Sequence, residues 1–322
     1  MLLISNTSSH TLSSLLLAGI PGLDQEGGLW TSIIFCIVYI FAVLGNFSIS
    51  YIIWAEKSLH GPMYFFLAML AINDIAFSSS TVPKMLGIFW WSDGRIDVTS
   101  CLTQMFFVHF LSMMESGILV AMAYDRYIAI CFPLRYMSIL TYVVLEKIAA
   151  SILVRAIVMV VPIPFMVARL HYCGDDVVLH SYCDHMAVVN MACDDKEADS
   201  MYGIIVALSI VSGDLLLIGL SYTMILRAVY KMPSKDARKK ALGTCVSHIC
   251  VIIILYTPAL FSFIGYRFGQ NILPHNVHIF LSNVYILFPA FMNPLIYGVR
   301  TKQVRECVLK MVTHNRKTQR PK

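Results

Sequence analysis

Seven long apolar runs, separated by shorter polar segments, dominate the hydrophobic pattern of this 322-residue chain. Each is long enough to cross about 30 Å of hydrocarbon as a helix, which takes about 20 residues. In lipid, every backbone polar group has to be satisfied inside the protein, and a helix does so within its own segment. The pattern therefore predicts an all-α membrane protein built as a seven-transmembrane helix bundle. The runs lie near 29–54, 62–88, 100–131, 143–166, 201–228, 241–264 and 275–299.

Composition agrees with this prediction, because 58% of the residues are hydrophobic, 13% are charged and the mean hydropathy is +0.71. Soluble domains average about 25% charged residues. We expect one domain without repeats: an extracellular segment 1–28, a bundle 29–299 and a cytoplasmic helix and tail 300–322. The first run lacks a short basic lead and a small-residue cleavage site, which favours a retained helix over a signal peptide. Basic and apolar residues alternate at helical spacing over 300–313, which predicts a short amphipathic helix on the inner leaflet.

The basic residues predict the orientation. Residues 1–28 contain no Lys or Arg, whereas 227–240 contains six and 300–322 contains eight. Basic loops stay on the cytoplasmic side, so the N-terminus is expected outside a plasma membrane. The net charge of +5 then reflects loops close to anionic lipid and not binding to nucleic acid. Asn6 begins an Asn-Thr-Ser glycosylation acceptor on the predicted outer side.

Nine cysteines are divided between the two predicted sides of the membrane. Five fall in the runs or on the inner side, where buried free thiols are expected. Four fall on the oxidising outer side, where disulfides form. Four cysteines allow three pairings, and we expect two disulfides among them. The outer four are Cys101, Cys173, Cys183 and Cys193.

No catalytic signature is present: the chain has no G-x-S-x-G, Walker A or H-E-x-x-H motif. An enzyme and a cofactor are therefore not expected. The His and Asp residues of 167–199 match no metal-ligand spacing, so we expect no metal and interpret this segment as a disulfide-linked lid over a pocket. Asp74 and Glu115 fall inside apolar runs, where unpaired charges are costly. A shared cation and a protonated, hydrogen-bonded pair both remain open, and Asp214 is expected to be structural.

One segment is more specific than the others. Asp125-Arg126-Tyr127 ends the third run, within Met-Ala-Tyr-Asp-Arg-Tyr-Ile-Ala-Ile-Cys131. Further motifs are Leu-His-Gly-Pro-Met-Tyr-Phe-Phe-Leu-Ala at 59–68, Lys-Ala-Leu-Gly-Thr-Cys-Val-Ser-His at 240–248 and Asn-Pro-Leu-Ile-Tyr at 293–297. Together they resemble olfactory receptors among the rhodopsin-type G-protein-coupled receptors. Gly-Ile-Pro-Gly-Leu at 19–23 resembles class I ("fish-like") receptors, and Tyr-Arg-Phe-Gly at 266–269 resembles family 52 of that class, although Asp184 stands where Glu is common.

The resemblance implies particular roles. It implies the pairings Cys101–Cys183 and Cys173–Cys193. It also implies a heterotrimeric G protein of the stimulatory, olfactory type as partner, with a rise in cAMP and no chemistry on the ligand. The residues expected to couple to the G protein are Asp125, Arg126, Tyr127, Tyr222, Lys239 and Tyr297.

The resemblance places Arg267 where class I receptors hold a ligand carboxylate. A guanidinium is a planar fork of donors that suits a carboxylate. The alternative is a rim arginine that pairs with Asp175, Asp176 or lipid. For His109, a buried core histidine and a contact with the ligand headgroup are equally open. The other residues of the predicted pocket are Met105, Ser112, Met186, Gly203, Ala207, Tyr256, Ala259 and Phe263.

The predicted function is an odorant receptor for an aliphatic carboxylic acid of medium chain length. Phe263 and Met186 stand where some relatives carry polar residues, which favours a ligand that buries several methylenes. Two alternatives are kept. One is a rhodopsin-type receptor for another lipid or a peptide, and the other is an ion-coupled transporter that uses Asp74 and Glu115, although the runs lack the repeated halves common in transporters.

Overall fold

The computed structural model describes residues 13–22, 25–173, 176–268, 274–300 and 303–307; for 25, 240, 264–268, 299 and 300 it describes the backbone only. Within these residues seven helices are long and apolar enough to cross a membrane, as predicted. The long helices are α1 (Gln25–Ala55), α2 (Pro62–Trp91), α3 (Val98–Cys131), α5 (Tyr142–Val160), α8 (Glu197–Tyr230), α9 (Lys235–Phe268) and α10 (His275–Arg300). The short ones are α4 (Tyr136–Ile139), α6 (Pro162–Ala168) and α7 (His185–Val189).

The fourth apolar run forms one span, Tyr142–Ala168, as predicted, but an interruption at Val161 divides it into α5 and α6. Val161 is the single residue between the two helices, and Pro162 follows it. A proline lacks the backbone N–H and its ring clashes with the preceding turn, so a helix breaks or kinks there. The other helices extend a few residues beyond their apolar runs, since polar residues continue a helix once it leaves the hydrocarbon.

Helix α3 lies at the centre of the bundle, where it packs against α2, α5, α6, α8 and α9. The helices α1 and α10 pack against each other and against α2. Close approach of α1 depends on Gly45, because a Cβ there would lie 2.9 Å from the Pro294 side chain of α10. A larger residue at this position would push the two helices apart.

A small sheet that was not predicted from the sequence covers one end of the bundle. Its strands are β1 (Ser14–Leu17), β2 (Arg95–Asp97) and β3 (Val177–Val178). β1 is the central strand, antiparallel to β2 and parallel to β3. Leu15 and Leu17 are buried, so the sheet is held by apolar packing as well as by backbone hydrogen bonds. We call this end of the bundle the sheet end.

Two disulfides lie at the sheet end, Cys101–Cys183 and Cys173–Cys193, which confirms the pairings implied by the resemblance. The first links α3 to the α6–α8 connection, and the second closes a loop within that connection. The five remaining cysteines are free thiols, as expected, but only Cys245 and Cys307 are buried, whereas Cys36, Cys131 and Cys250 are half-buried.

The C-terminal prediction is met over a short stretch. Residues 303–307 are helical, with Val304 and Cys307 buried. The Tyr64 hydroxyl donates a hydrogen bond to Gln303, which joins this stretch to α2. The rest of the predicted amphipathic helix, and the glycosylation candidate Asn6, lie outside the described residues.

Candidate functional site

A cavity of about 200 Å³ lies inside the bundle below the α6–α8 connection, between α3, α8, α9 and α10. Ligand pockets for drug-sized molecules usually measure about 300–1,000 Å³, so this cavity suits a small molecule. Most of the wall is apolar. Predicted pocket residues that line it are His109, Ser112, Met186, Gly203, Ala207, Tyr256, Ala259 and Phe263.

Two predicted pocket residues are not among these. The Met105 side chain is fully buried in the apolar cluster that contains Cys101 and Cys183, so the lid covers this turn of α3 and the structure does not bring Met105 to the cavity. Arg267 lies in the last turn of α9, but its side chain is outside the described part of the structure.

Several polar residues that line the cavity were not predicted from the sequence. Tyr182, Asp184 and His185 come from the α6–α8 connection, and His278 and Tyr285 come from α10. The histidine and acid content of 167–199 was a signal for a polar lid. His278 gave no such signal, because the face that α10 turns inward depends on its packing.

The lid positions one carboxylate at the cavity. Asp184 caps α7, where its side chain accepts a hydrogen bond from the Ala187 backbone N–H at 3.0 Å. Burial tends to raise the pKa of this carboxyl, but His180, His109, the Ala187 N–H and His185 oppose it and hold the pKa below its ordinary value. Asp184 is therefore ionised in the cavity wall at neutral pH.

Histidines surround this carboxylate. The His109 and His185 rings are 6.0 Å apart between centroids, and the His180 and His278 rings 6.2 Å. Burial lowers the pKa of His180, in the lid, to about 4, so that imidazole is neutral. The sheet end of the cavity thus combines one negative charge with several imidazoles.

A polar network forms the opposite end of the cavity. The Ser116 hydroxyl lies 2.5 Å from the Tyr256 hydroxyl and donates a hydrogen bond to Asp214 at 2.5 Å. Arg155 binds the same carboxylate with both terminal nitrogens, at 2.5 and 2.9 Å. The network joins α3, α5, α8 and α9, which agrees with the structural role expected of Asp214. A displacement of one of these side chains would therefore change contacts among all four helices.

The other intramembrane acids lie deeper in the bundle. Asp74 accepts a hydrogen bond from Asn293 Nδ2 at 2.9 Å. Both Glu115 carboxyl oxygens are buried without a hydrogen-bond partner among the described residues, and Glu115 interacts electrostatically with Asp74. No cluster of three or more His, Cys, Asp or Glu side chains suited to a metal occurs in the described part of the chain.

At the end opposite the sheet, Asp125 and Arg126 form an ion pair of 3.8 Å. The Tyr136 hydroxyl of α4 donates to Asp125 Oδ1 at 2.6 Å. Burial, followed by the charge of Asp125, raises the pKa of this phenol, so it remains a donor. Arg126 lies 17 residues beyond His109 on α3, which corresponds to about 25 Å along the helix axis.

The remaining predicted coupling residues lie at the same end. The Tyr222 hydroxyl is 2.8 Å from His248 Nδ1, which bridges α8 and α9. Tyr297 is buried, and its hydroxyl has no hydrogen-bond partner within the described ranges. Tyr127 packs against the apolar cores around it, and Lys239 is exposed at the start of α9.

Comparison with known proteins identifies the family. A family model described as "Olfactory receptor" matches residues 35–315. Human Olfactory receptor 52N4 is 46% identical over 98% of this chain and 98% of its own length. Human Olfactory receptor 52K1 is 50% identical over 96% of this chain and 98% of its own. The chain belongs to the olfactory receptor family.

The fold of this olfactory receptor is the rhodopsin fold. The crystal structure of squid rhodopsin matches with a TM-score of 0.74, over 93% of this chain and 89% of that chain, at 15% identity. As a member of its family, the olfactory receptor is a signalling receptor that spans the plasma membrane several times, and not an enzyme. Its family implies an odorant ligand and a heterotrimeric G protein as partners.

Proposed function

We propose that this olfactory receptor binds an aliphatic carboxylic acid of medium chain length from the extracellular side and activates a stimulatory G protein, which raises cAMP. The observation that carries the proposal is the chemistry of the cavity. Its wall is mostly apolar, and at the sheet end His109 Nε2 is buried without a hydrogen-bond partner among the described residues. A buried polar atom of this kind is stabilised by a polar ligand group.

The apolar wall supports the aliphatic part of this ligand. Ala207, Ala259 and Phe263 contribute apolar side chains to the cavity wall. Each buried methylene contributes about 0.8 kcal/mol, so a chain of several carbons adds most of the affinity. The small volume argues against a peptide, the ligand of one alternative receptor class.

Arg267 is proposed to bind the ligand carboxylate from the end of α9. The support is the resemblance together with the donor geometry of a guanidinium. His109 is proposed as a second contact with the same headgroup.

The proposed orientation places the N-terminus and the sheet end outside the cell. Both disulfides lie at the sheet end, and disulfides persist on the oxidising side of the membrane. The basic segment 227–240 would then lie in the cytoplasm. The ligand would enter at the sheet end, and the G protein would bind at the opposite end.

Activation is proposed to shift a population of states. Ligand binding at the outer end of α9 would favour a state in which the inner end of this helix is displaced. A G protein would then contact Asp125, Arg126 and the basic segment. This displacement would move α9 relative to α8, and the contact between Tyr222 and His248 bridges these two helices.

Asp74 and Glu115 are proposed to share either a monovalent cation or a proton. Two buried carboxylates side by side are unfavourable when both are charged and uncompensated. Replacement of sodium by choline in the medium separates the two possibilities. A cation site predicts a change in basal signalling that Glu115→Gln abolishes, whereas a shared proton predicts no effect of sodium.

The test of the main proposal is a cAMP assay with a panel of straight-chain acids and the corresponding alcohols. The acids should activate, and Arg267→Ala should abolish their effect at unchanged surface expression. Arg95→Ala is the matched control, because Arg95 is an exposed arginine at the same end of the bundle. An acid response that survives Arg267→Ala would contradict the carboxylate contact, and ion flux without a G protein would support a transporter.

A further inference from the structure

Four histidines from three parts of the fold meet around one carboxylate at the sheet end of the cavity. His109 comes from α3, His180 and His185 from the lid, and His278 from α10. Three of them, His109, His180 and His185, act on the charge of Asp184, and His278 is in turn influenced by it. The group thus forms a single electrostatic unit, which we call the histidine cluster.

Two of the imidazoles retain hydrogen-bonding capacity that the described residues do not use. His109 Nε2 and His180 Nε2 are buried, and neither has a hydrogen-bond partner among the described residues. His180 Nδ1 accepts the Tyr182 backbone N–H at 3.4 Å, so in the neutral ring Nε2 carries the hydrogen. Of these two histidines, His109 lines the cavity, and an unused polar atom in a cavity wall indicates that a further polar group belongs there.

When a carboxylate ligand is bound, this end of the cavity carries more negative than positive charge. Asp184 is the only carboxylate among the described lining residues. A bound acid adds a second negative charge beside it, and the proposed contact with Arg267 supplies one positive charge. An uncompensated charge in a buried site is costly, and an imidazole that becomes protonated removes the excess.

We propose that Asp184 and the histidine cluster form a proton-binding site, and that a carboxylate odorant binds together with one proton taken up from the extracellular solution onto an imidazole of the cluster, with His109 as the main acceptor. The inference rests on the proposed function, because it presupposes an acidic ligand. Asp184 is then a specificity-determining residue: it makes the affinity for acids depend on pH.

The other titratable groups around the cluster do not replace this proton. His275, from α10, adjoins His278 with 6.4 Å between ring centroids and donates a hydrogen bond through Nε2 to the Leu179 carbonyl oxygen of the lid. Tyr182 in the lid, Tyr256 on α9 and Tyr285 on α10 also line the cavity. These phenols are neutral at the pH of the experiment. Helices α5, α6 and α8 contribute no titratable side chain to the described lining.

The experiment measures the EC50 of an activating straight-chain acid at extracellular pH 6, 7 and 8. A carboxylic acid with a pKa close to that of Glu, about 4.3, stays ionised over this range, so the ligand itself does not change charge. Uptake of one proton lowers the EC50 by up to about tenfold per pH unit as the pH falls. We expect a clear decrease in EC50 from pH 8 to pH 6 in the unmodified receptor.

Asp184→Asn is the decisive variant. Asparagine also caps helices well, so α7 keeps its cap while the cavity loses one negative charge. The variant should bind acids more tightly at pH 8 and show a flattened pH dependence. His109→Gln should flatten it as well, whereas His171→Gln, a control in an exposed histidine of the same connection, should leave it intact.

The outcomes separate this inference from the function on which it rests. A receptor that no acid activates at any pH would overturn both. An acid response with the same EC50 at all three pH values would overturn proton uptake and leave the proposed function standing. A pH dependence that Asp184→Asn and His109→Gln both preserve would overturn the assignment to the histidine cluster.

Discussion

Asn46 on α1 donates a hydrogen bond through Nδ2 to the Ala290 carbonyl oxygen on α10, at 2.7 Å. In a regular helix that carbonyl would accept the N–H of the residue four positions later. Here that residue is Pro294, which has no N–H. Asn46 therefore satisfies a backbone group that the proline has left without its helical partner, and at the same point Gly45 allows the two helices to touch.

Asn46→Ala should destabilise the receptor by about 1–3 kcal/mol, the cost of a buried polar group without a partner. The penalty should shrink in a Pro294→Ala background, because an alanine at that position has the backbone N–H that proline lacks. Thermal unfolding of the detergent-solubilised receptor measures both. Equal penalties in the two backgrounds would contradict the role assigned to Asn46.

The Arg155–Asp214 pair predicts a second non-additive result. Loss of one partner leaves a charge without its counter-ion inside the bundle, which typically costs about 3–5 kcal/mol. The partial exposure of the Arg155 side chain, 36%, places this site at the lower end of that range. Arg155→Met and Asp214→Asn should each reduce surface expression and thermal stability.

The double variant of Arg155 and Asp214 should recover part of this loss, since it leaves neither charge uncompensated. Leu153→Met, in an exposed position of the same helix, is the control and should change little. If the double variant lost as much as the two single variants together, the pair would not be coupled.

The seven spans could be predicted because an apolar run of membrane length has few other uses. The disulfide pairing came from the resemblance and not from spacing. The break at Val161 was missed, although Pro162 and Pro164 are adjacent signals, because prolines inside a membrane helix can also be accommodated as a kink. The sheet was missed since β1, β2 and β3 are very short and pair across a long stretch of sequence.

The site was predicted less completely, for a geometric reason. His109 and Ser112 could be placed on the cavity face of α3, but Met105 lies where the lid, tied down through Cys183, covers the helix. The partnership of Arg155 with Asp214 depends on how α5 and α8 are rotated. The rotation of these helices cannot be predicted from a single sequence. The sequence does predict that each buried charge needs a partner.

At the end opposite the sheet, Tyr136→Phe should raise basal signalling severalfold. It removes the 2.6 Å hydrogen bond to Asp125, and a hydrogen bond to a charged group contributes about 1.5–3 kcal/mol. Asp125 would be held less firmly beside Arg126, so states that bind a G protein would be more populated.

Basal cAMP normalised to surface expression measures this effect. Tyr142→Phe is a matched control, because this exposed tyrosine donates to the His60 carbonyl and does not contact Asp125. Basal activity that is unchanged in Tyr136→Phe would show that the bond does not restrain the receptor.

Ala207→Leu should shift the preferred acid to a shorter chain. Ala207 lines the cavity of about 200 Å³, and added carbons there occupy space that the ligand chain would fill. Each ligand methylene that no longer fits loses about 0.8 kcal/mol, or about fourfold in affinity. Dose–response curves across acid lengths measure the shift. Leu208→Phe, on the exposed side of the same helix, should keep the original preference, and a uniform loss for all lengths in Ala207→Leu would argue against this wall.

The neutral state of His180 predicts that acid weakens the lid. Burial lowers its pKa to about 4 in the folded receptor, whereas the pKa of a histidine in an unfolded chain is about 6.5. Between these values the unfolded chain binds a proton that the folded chain does not. The stabilisation is therefore complete above about pH 6.5 and is lost as the pH falls toward about 4. This difference in pKa corresponds to about 3 kcal/mol in the free energy of unfolding.

Thermal unfolding of the solubilised receptor at a series of pH values between about 7 and 4 tests this. The melting temperature should fall with pH in the unmodified receptor, and His180→Asn should reduce the slope because Asn does not titrate in this range. His171→Asn removes an exposed histidine that is paired with Asp194, so it should leave most of the slope in place. Equal slopes in the unmodified receptor and in His180→Asn would mean that the acid sensitivity of the fold arises elsewhere.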